Sequence, residues 1–200
     1  MKGSPKTLES SRLVLVASTA AHVRTELEVP GKLCLMLDAT VSPAWPSGEY
    51  DRDAMEFFLS RFEEGGESVE GWYGWYALGS ISGDGLRVLV GAGGYFGPPG
   101  EDGTVEIGYS VLPEWQRQGY ASEIVRILLA HAFTFPMVSR VIAHTSADNA
   151  ASIKVLLSAG FLIAGAGEDP GTLRYESARP PATLKSGDFC ERDIGFCQRD

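Results

Sequence analysis

The sequence predicts a mixed α/β domain of the α+β kind, with a largely antiparallel sheet and helices beside it. Three observations carry this. Apolar runs at Gly71 to Leu78, Leu86 to Phe96 and Thr104 to Val111 follow one another across turns of Gly, Pro and Asp, the pattern of an antiparallel meander. Ile124, Val125, Ile127, Leu128 and Leu129 then recur at helical spacing, one apolar face of a helix. A strand (Arg140 to Thr145), a short helix and a final hairpin close the order strand, helices, strands, helix, strand, helix, hairpin.

The elements follow in chain order. Arg12 to Ala17 is a short apolar strand, and Ser18 and Thr19 offer an N-cap for a helix over AAHVRTELE that Pro30-Gly31 ends. Lys32 to Leu37 is apolar and fits either strand or helix. Asp38 to Tyr50, with Pro43, Trp45, Pro46 and Gly48, reads as a loop. Asp51 to Phe62 returns to helical spacing through Met55, Phe58, Leu59 and Phe62, with Gly65-Gly66 as its stop. The turn Ser82 to Gly85 separates the first two meander strands, and Gly97 to Gly100 the next two. In the third, Val105, Ile107 and Tyr109 alternate with Glu106, Gly108 and Ser110, and Pro113 ends the strand. Asp148 and Asn149 cap the helix AASIKVLLSA, which Gly160 closes, and Phe161 to Ala166 pairs with Thr172 to Glu176 around Glu168 to Gly171.

At 200 residues and 44% hydrophobic content the chain can bury a sizeable core. The expected organisation is one domain over 1–177 and a tail over 178–200. A net charge of −9 argues against a nucleic-acid or anionic-membrane surface, because such binding needs clustered Lys and Arg. Cys34, Cys190 and Cys197 make neither a disulfide framework nor a zinc quartet, and no His/Cys/Asp/Glu grouping has metal-ligand spacing. No apolar run has signal-peptide or transmembrane quality. The expectation is a cytoplasmic protein without a metal and without nucleic-acid or membrane partners.

The stretch with most chemistry is TVEIGYSVLPEWQRQGY and the helix after it. In the loop Gln116 to Ala121, Gly119 permits positive φ and Ala121 keeps the helix mouth uncrowded. Bare N–H groups at a helix start, with Arg117 supplying charge and Gln116 and Gln118 further donors, suit an anion. No Gly-Lys-Ser/Thr follows, so this is not a Walker loop. The glycines from Gly91 to Gly97 run into Pro98-Pro99 rather than a helix, so they are no dinucleotide fingerprint.

The run EIGYSVLPEWQRQGYASEIVRILLAHAF and the later NAASIKVLLSAGF together resemble the GNAT superfamily of N-acetyltransferases. The resemblance is closest to the branch of ribosomal-protein N-terminal acetyltransferases. Gln116, Gly119 and Ala121 match the family's pyrophosphate loop, with Val111 and Pro113 in their usual places. Asn149, Ser152, Gly160 and Phe161 match the second signature. The departures are Arg117, where many relatives have glycine, and the tail. The resemblance implies a twisted, mostly antiparallel sheet with splayed central strands, and acetyl-CoA as donor.

In that arrangement the pyrophosphate sits on the backbone of Arg117, Gln118, Gly119, Tyr120 and Ala121. The pantetheine runs between the strand ending at Val111 and Arg140 to Thr145, with a bulge near Tyr109 to Val111 freeing backbone groups. Asn149 hydrogen-bonds the donor and Ser152 lies near the thiol. Glu106 is the expected base and Ser152 the expected thiol-side donor. Trp45, in the loop that would wall the acceptor pocket, is the expected acceptor contact. His144 reads as a core histidine. The activity implied is direct acetyl transfer to the primary amine of a peptide or small molecule, with a homodimer open. The alternative is a non-catalytic acyl-CoA-binding module on the same fold.

Overall fold

A computed structural model describes residues 5–48, 50–81 and 85–180. Ser82 to Asp84 of the expected turn, Cys190, Cys197 and nearly all of the tail lie outside the described residues. Within them, eight strands form one sheet: β1 (Thr7–Glu9), β2 (Leu13–Ala17), β3 (Gly74–Ile81), β4 (Leu86–Tyr95), β5 (Thr104–Val111), β6 (Arg140–Ser146), β7 (Leu162–Ala166) and β8 (Thr172–Ala178). The spatial order is β1-β2-β3-β4-β5-β6-β8-β7. Every pair is antiparallel except β5–β6, which is parallel. The helices are α1 (Ala20–Glu28), α2 (Leu33–Leu37), α3 (Arg52–Gly65), α4 (Tyr120–Ala132) and α5 (Ala150–Ser158).

Local chemistry sets the boundaries. Thr19 caps α1 by accepting the His22 N–H, and Asp51 caps α3 by accepting that of Ala54. The ambiguous Lys32 to Leu37 segment resolves as α2, because Leu33 and Leu37 fall on one buried face four residues apart. β3 begins at Gly74 rather than Gly71: the Trp72 N–H bonds the Val69 carbonyl and Gly71 takes φ +89°, so a turn occupies the first aromatic residues. β1 gave no signal in the sequence, since Thr-Leu-Glu is too short to show a period.

The sheet has a core on each face. Val105 and Ile107 of β5 turn towards α4, where Ile124, Val125 and Leu128 are fully buried. On the other face Tyr76 and Leu78 of β3 pack with Leu33 and Leu37 of α2. Beside them Val23, Met55, Phe62 and Tyr73 join α1 to α3. The period-two alternation of β5 therefore assigns Ile107 and Tyr109 to the α4 face and Glu106, Gly108 and Ser110 to the α1/α3 face.

Candidate active site

The site is built where β5 and β6 part. Their pairing runs only through Thr104–Arg140, Val105–Val141 and Glu106–Ile142. Both strands continue beyond it, β5 to Val111 and β6 to Ser146. From there β6 stays paired to β8 as far as Ser146–Thr172, so one of its edges is left open. On β5 the Phe96 N–H bonds the Glu106 carbonyl and the Leu112 N–H bonds the Val90 carbonyl. By antiparallel alternation the even residues spend their backbone groups on β4, and Tyr109 and Val111 turn theirs to the gap. The expected bulge in β5 is absent: the β4–β5 register is unbroken from Gly91–Val111 to Tyr95–Ile107. The irregularity is on β4 instead, where Val90 is the extra residue opposite Ala77 and Leu78. Divergence of β6, rather than a bulge, frees the backbone groups.

Below the gap lies the loop that enters α4. Gly119 is the N-cap of α4 at φ +85°, the left-handed conformation that favours glycine. Arg117 also lies there, at φ +60°. Two glutamines expected as anion donors serve the loop itself. Gln116 Nε2 donates to the Val111 carbonyl (3.0 Å) and Gln118 Nε2 to the Glu114 carbonyl (3.1 Å). Each side-chain amide thereby gives one N–H to the backbone of the loop. Arg12, not singled out in the sequence, braces the loop from outside. Its Nη1 donates to the Gln118 carbonyl (3.0 Å), its other nitrogens bind Glu123, and the guanidinium lies 4.9 Å from the Tyr120 ring centre.

At the open end of the gap, Asn149 caps α5 by accepting the Ser152 N–H (3.0 Å). Its amide NH₂ group is left for other use. A parallel pair that splays, a positive-φ glycine at a helix mouth beneath it and a capped second helix beside it make a slot for an extended ligand ending in phosphates.

Residues 12–162 match the acetyltransferase (GNAT) domain family. The chain belongs to the GNAT family. It is 36% identical over 75 residues to the uncharacterized N-acetyltransferase YjdG of Bacillus subtilis, covering 38% of this chain and 45% of that one. It is also 36% identical over 97 residues to the uncharacterized N-acetyltransferase YoaA of the same organism, covering 47% and 51%. The chain thus spans about half the length of the curated relatives it matches. Among solved structures it superimposes on RimL, a ribosomal L7/L12 alpha-N-protein acetyltransferase in complex with coenzyme A. The TM-score is 0.60 at 17% identity, over 86% of this chain and 98% of that one.

Within this GNAT slot, side chains meet from both faces of the sheet. On the α1/α3 face, Glu106 Oε1 lies 2.8 Å from Nδ1 of His144 on β6, a bond that spans the start of the gap. His144, read in the sequence as a core residue, is brought to the slot, and its Nε2 is buried without a partner. The signal that could have found it was its even position on the strand that must line the gap. On the α4 face, the Tyr109 hydroxyl lies 2.9 Å from Ser152 Oγ. Burial pushes the Tyr109 phenol above its ordinary range, Ser152 partly offsetting this, so the group keeps its proton at neutral pH.

Trp45 is not part of the slot wall. Its indole N–H donates to Glu26 Oε1 (2.7 Å), while the hydroxyls of Tyr50 (2.7 Å) and Tyr76 (2.5 Å) donate to Oε2. Trp45 is drawn to Glu26 because that carboxylate, 6% exposed, needs donors to remain buried. Burial still pushes the Glu26 carboxyl up, the three donors acting against it. Ser47, Gly48 and Tyr50 of the same loop line the cleft in its place. The whole cleft measures about 2210 Å³, against on the order of 300–1,000 Å³ for a one-ligand site. It has room for a donor and an acceptor together. Among the described residues no cluster of His, Cys, Asp and Glu could hold a metal ion, and no helix is long and apolar enough to cross a membrane.

Proposed function

We propose that this protein transfers the acetyl group of acetyl-CoA directly to a primary amine, on a peptide N-terminus or a small molecule, in the cytoplasm. The observation that carries the reading is the placement of Glu106 and the Tyr109–Ser152 pair on opposite faces of one gap. A donor threaded through that gap meets a proton acceptor on one side and a proton donor on the other.

The residues present fit the donor. Tyr109 and Val111 offer unpaired strand amides for the pantetheine, as a neighbouring strand would use them. The loop of Arg117 to Ala121 offers the mouth of a 13-residue helix and a full positive charge for the pyrophosphate. Asn149, already a cap through its oxygen, has its NH₂ group free for a donor carbonyl.

Acetyl-CoA supplies an activated acyl group, and the chain's own residues move the protons. Glu106, positioned by His144, takes the proton of the attacking amine, directly or through one water. The C–N bond forms, the carbonyl oxygen gains charge beside the gap-facing N–H groups of β5, and the C–S bond breaks. Ser152, relayed by the Tyr109 hydroxyl 2.9 Å away, gives the leaving thiolate a proton. The products are an N-acetyl amine and CoA, and exchange with solvent then removes the proton from Glu106 and restores one to the Tyr109–Ser152 pair.

Calorimetry with acetyl-CoA tests the donor site, and thiol release across peptide N-termini, polyamines and simple amines tests transfer. The reading expects saturable donor binding with thiol release that depends on an amine. Binding without release from any amine would leave an acyl-CoA-binding module, and no binding at millimolar donor would remove both.

A further inference from the structure

We propose that the acceptor amine carries an aromatic group, held between Phe58 and Phe96 in a furrow that leads to Glu106. This rests on the amine-acetylation reading and names its substrate class. The furrow follows from register. Gly74, Gly94 and Gly108 stand side by side on β3, β4 and β5, a row about 10 Å across at the usual strand spacing. A Cβ on Gly94 would run into the Tyr73 carbonyl oxygen, so the middle of the row carries no side chain.

Each end of the row lies under a ring. A Cβ on Gly74 would stand 2.9 Å from Ser18 Oγ and 3.6 Å from the Phe58 ring, and one on Gly108 would stand 3.1 Å from Phe96. Aromatic partners prefer centroids on the order of 4.5–7 Å apart. A flat ring seated over Gly94, one strand spacing of about 5 Å from either end of the row, meets that preference towards both.

The furrow opens at the catalytic edge. The Phe96 N–H bonds the Glu106 carbonyl at 3.1 Å, which sets Phe96 across from Glu106 on the same face. Phe96 is nevertheless 52% exposed, a large ring left in water beside the reacting carboxylate. Phe58 is held by Tyr50, which also lines the cleft, and by Tyr73, with ring centres at 6.1 and 5.7 Å.

Charge narrows the class further. Among the described residues Glu106 is the one acid lining this face of the cleft. The others sit elsewhere: Glu9 and Glu123 near the phosphate loop, Glu168 and Asp169 in the β7–β8 turn. One carboxylate suits one ammonium, which disfavours a polyamine. Among the described residues the lining Lys and Arg lie on the donor side, in α4, α5 and the loops around Arg12 and Arg117, so an acceptor carboxylate meets none of them on this face. The fitting acceptor is an aromatic monoamine, or an amide or peptide that begins with an aromatic residue.

The test compares thiol release from acetyl-CoA with 2-phenylethylamine, phenylalaninamide, serinamide, spermidine and free phenylalanine. The two aromatic amines without a carboxylate should exceed serinamide and spermidine in kcat/KM by about tenfold or more. Phe96→Ala, made at a half-exposed site and checked for folding by circular dichroism, should cut that advantage about fivefold or more, mainly through KM. Equal rates, a preference for serinamide or spermidine, or an unchanged ratio in Phe96→Ala would overturn the inference. If acetyl-CoA binds but no amine releases thiol, the acetylation reading has failed and the furrow stands or falls separately. Calorimetry of 2-phenylethylamine against butylamine on the CoA-loaded protein then decides: tighter aromatic binding supports it, and equal binding overturns it.

Discussion

Arg117 holds a backbone conformation that L-residues other than Asn and Asp seldom adopt, at a cost of about 1–2 kcal/mol. Glycine would adopt it freely, whereas arginine adds a full positive charge to the loop. Arg117→Gly should leave the melting temperature within about 2 °C, strain relief and glycine entropy offsetting each other. Acetyl-CoA affinity should fall about fivefold, with a weaker dependence on salt. Titration calorimetry at low and high ionic strength checks this; unaltered affinity would show that the loop binds through backbone alone.

Glu26 makes a separate prediction. Its carboxyl titrates higher in the folded protein than in the unfolded chain, because burial disfavours the charge. Between those two values the folded protein keeps a proton that the unfolded chain has lost. Stability therefore falls as pH rises through that window and the cost is complete above it. Glu26→Gln removes the charge, so the wild type should lose stability relative to the variant as pH rises above the ordinary carboxylate range. Melting temperatures that run parallel across that rise would contradict the account.

At the scale of elements, α4 is organised from both ends. Gly119 and Arg12 set its start. At its end Arg179, just past β8, donates to the carbonyls of Phe133, Phe135 and Val138, and its guanidinium lies 5.3 Å from the Phe133 ring centre. A planar fork can serve three diverging carbonyls, and an ammonium cannot. Arg179→Lys should cost about 1–3 kcal/mol in denaturant unfolding, with the m-value unchanged.

The same scale shows what the sequence could tell. α4, β5 and the α5 cap were legible because periodicity and capping are local: Ile124 and Leu128, Val105 and Ile107, and Asn149 each announce themselves within a few residues. The divergence of β5 from β6 came only through family resemblance. It depends on β6 pairing with β8, a contact between residues 146 and 172 that no local pattern encodes. His144, Arg12 and the capture of Trp45 by Glu26 were missed for the same reason. Their partners lie 38, 111 and 19 residues away in sequence.

For the whole molecule, the two faces of one sheet carry different helices, α4 and α5 on one and α1 to α3 on the other, and in the proposed reaction the first face holds the donor and the second the acceptor. A ligand bound only by the native sheet stabilises all of it. Acetyl-CoA at a hundredfold excess over its Kd should add about 2.7 kcal/mol, raising the melting temperature by about 5–10 °C. S-acetyl-pantetheine, which lacks the pyrophosphate, should raise it far less at equal concentration. Equal shifts would place the donor's grip outside the α4 mouth.

The decisive step of the proposed reaction is the transfer of the amine's proton to Glu106 at the edge of the slot. Its most direct test is Glu106→Gln, measured for amine-dependent thiol release and for acetyl-CoA affinity on the same preparation. The amide keeps the shape and a hydrogen bond to His144 but cannot accept the proton. Turnover at neutral pH should fall about 10²- to 10⁴-fold, with the donor Kd within about twofold and the loss smaller at high pH, where the amine is already neutral. Turnover equal to the wild type across the pH range would contradict the account.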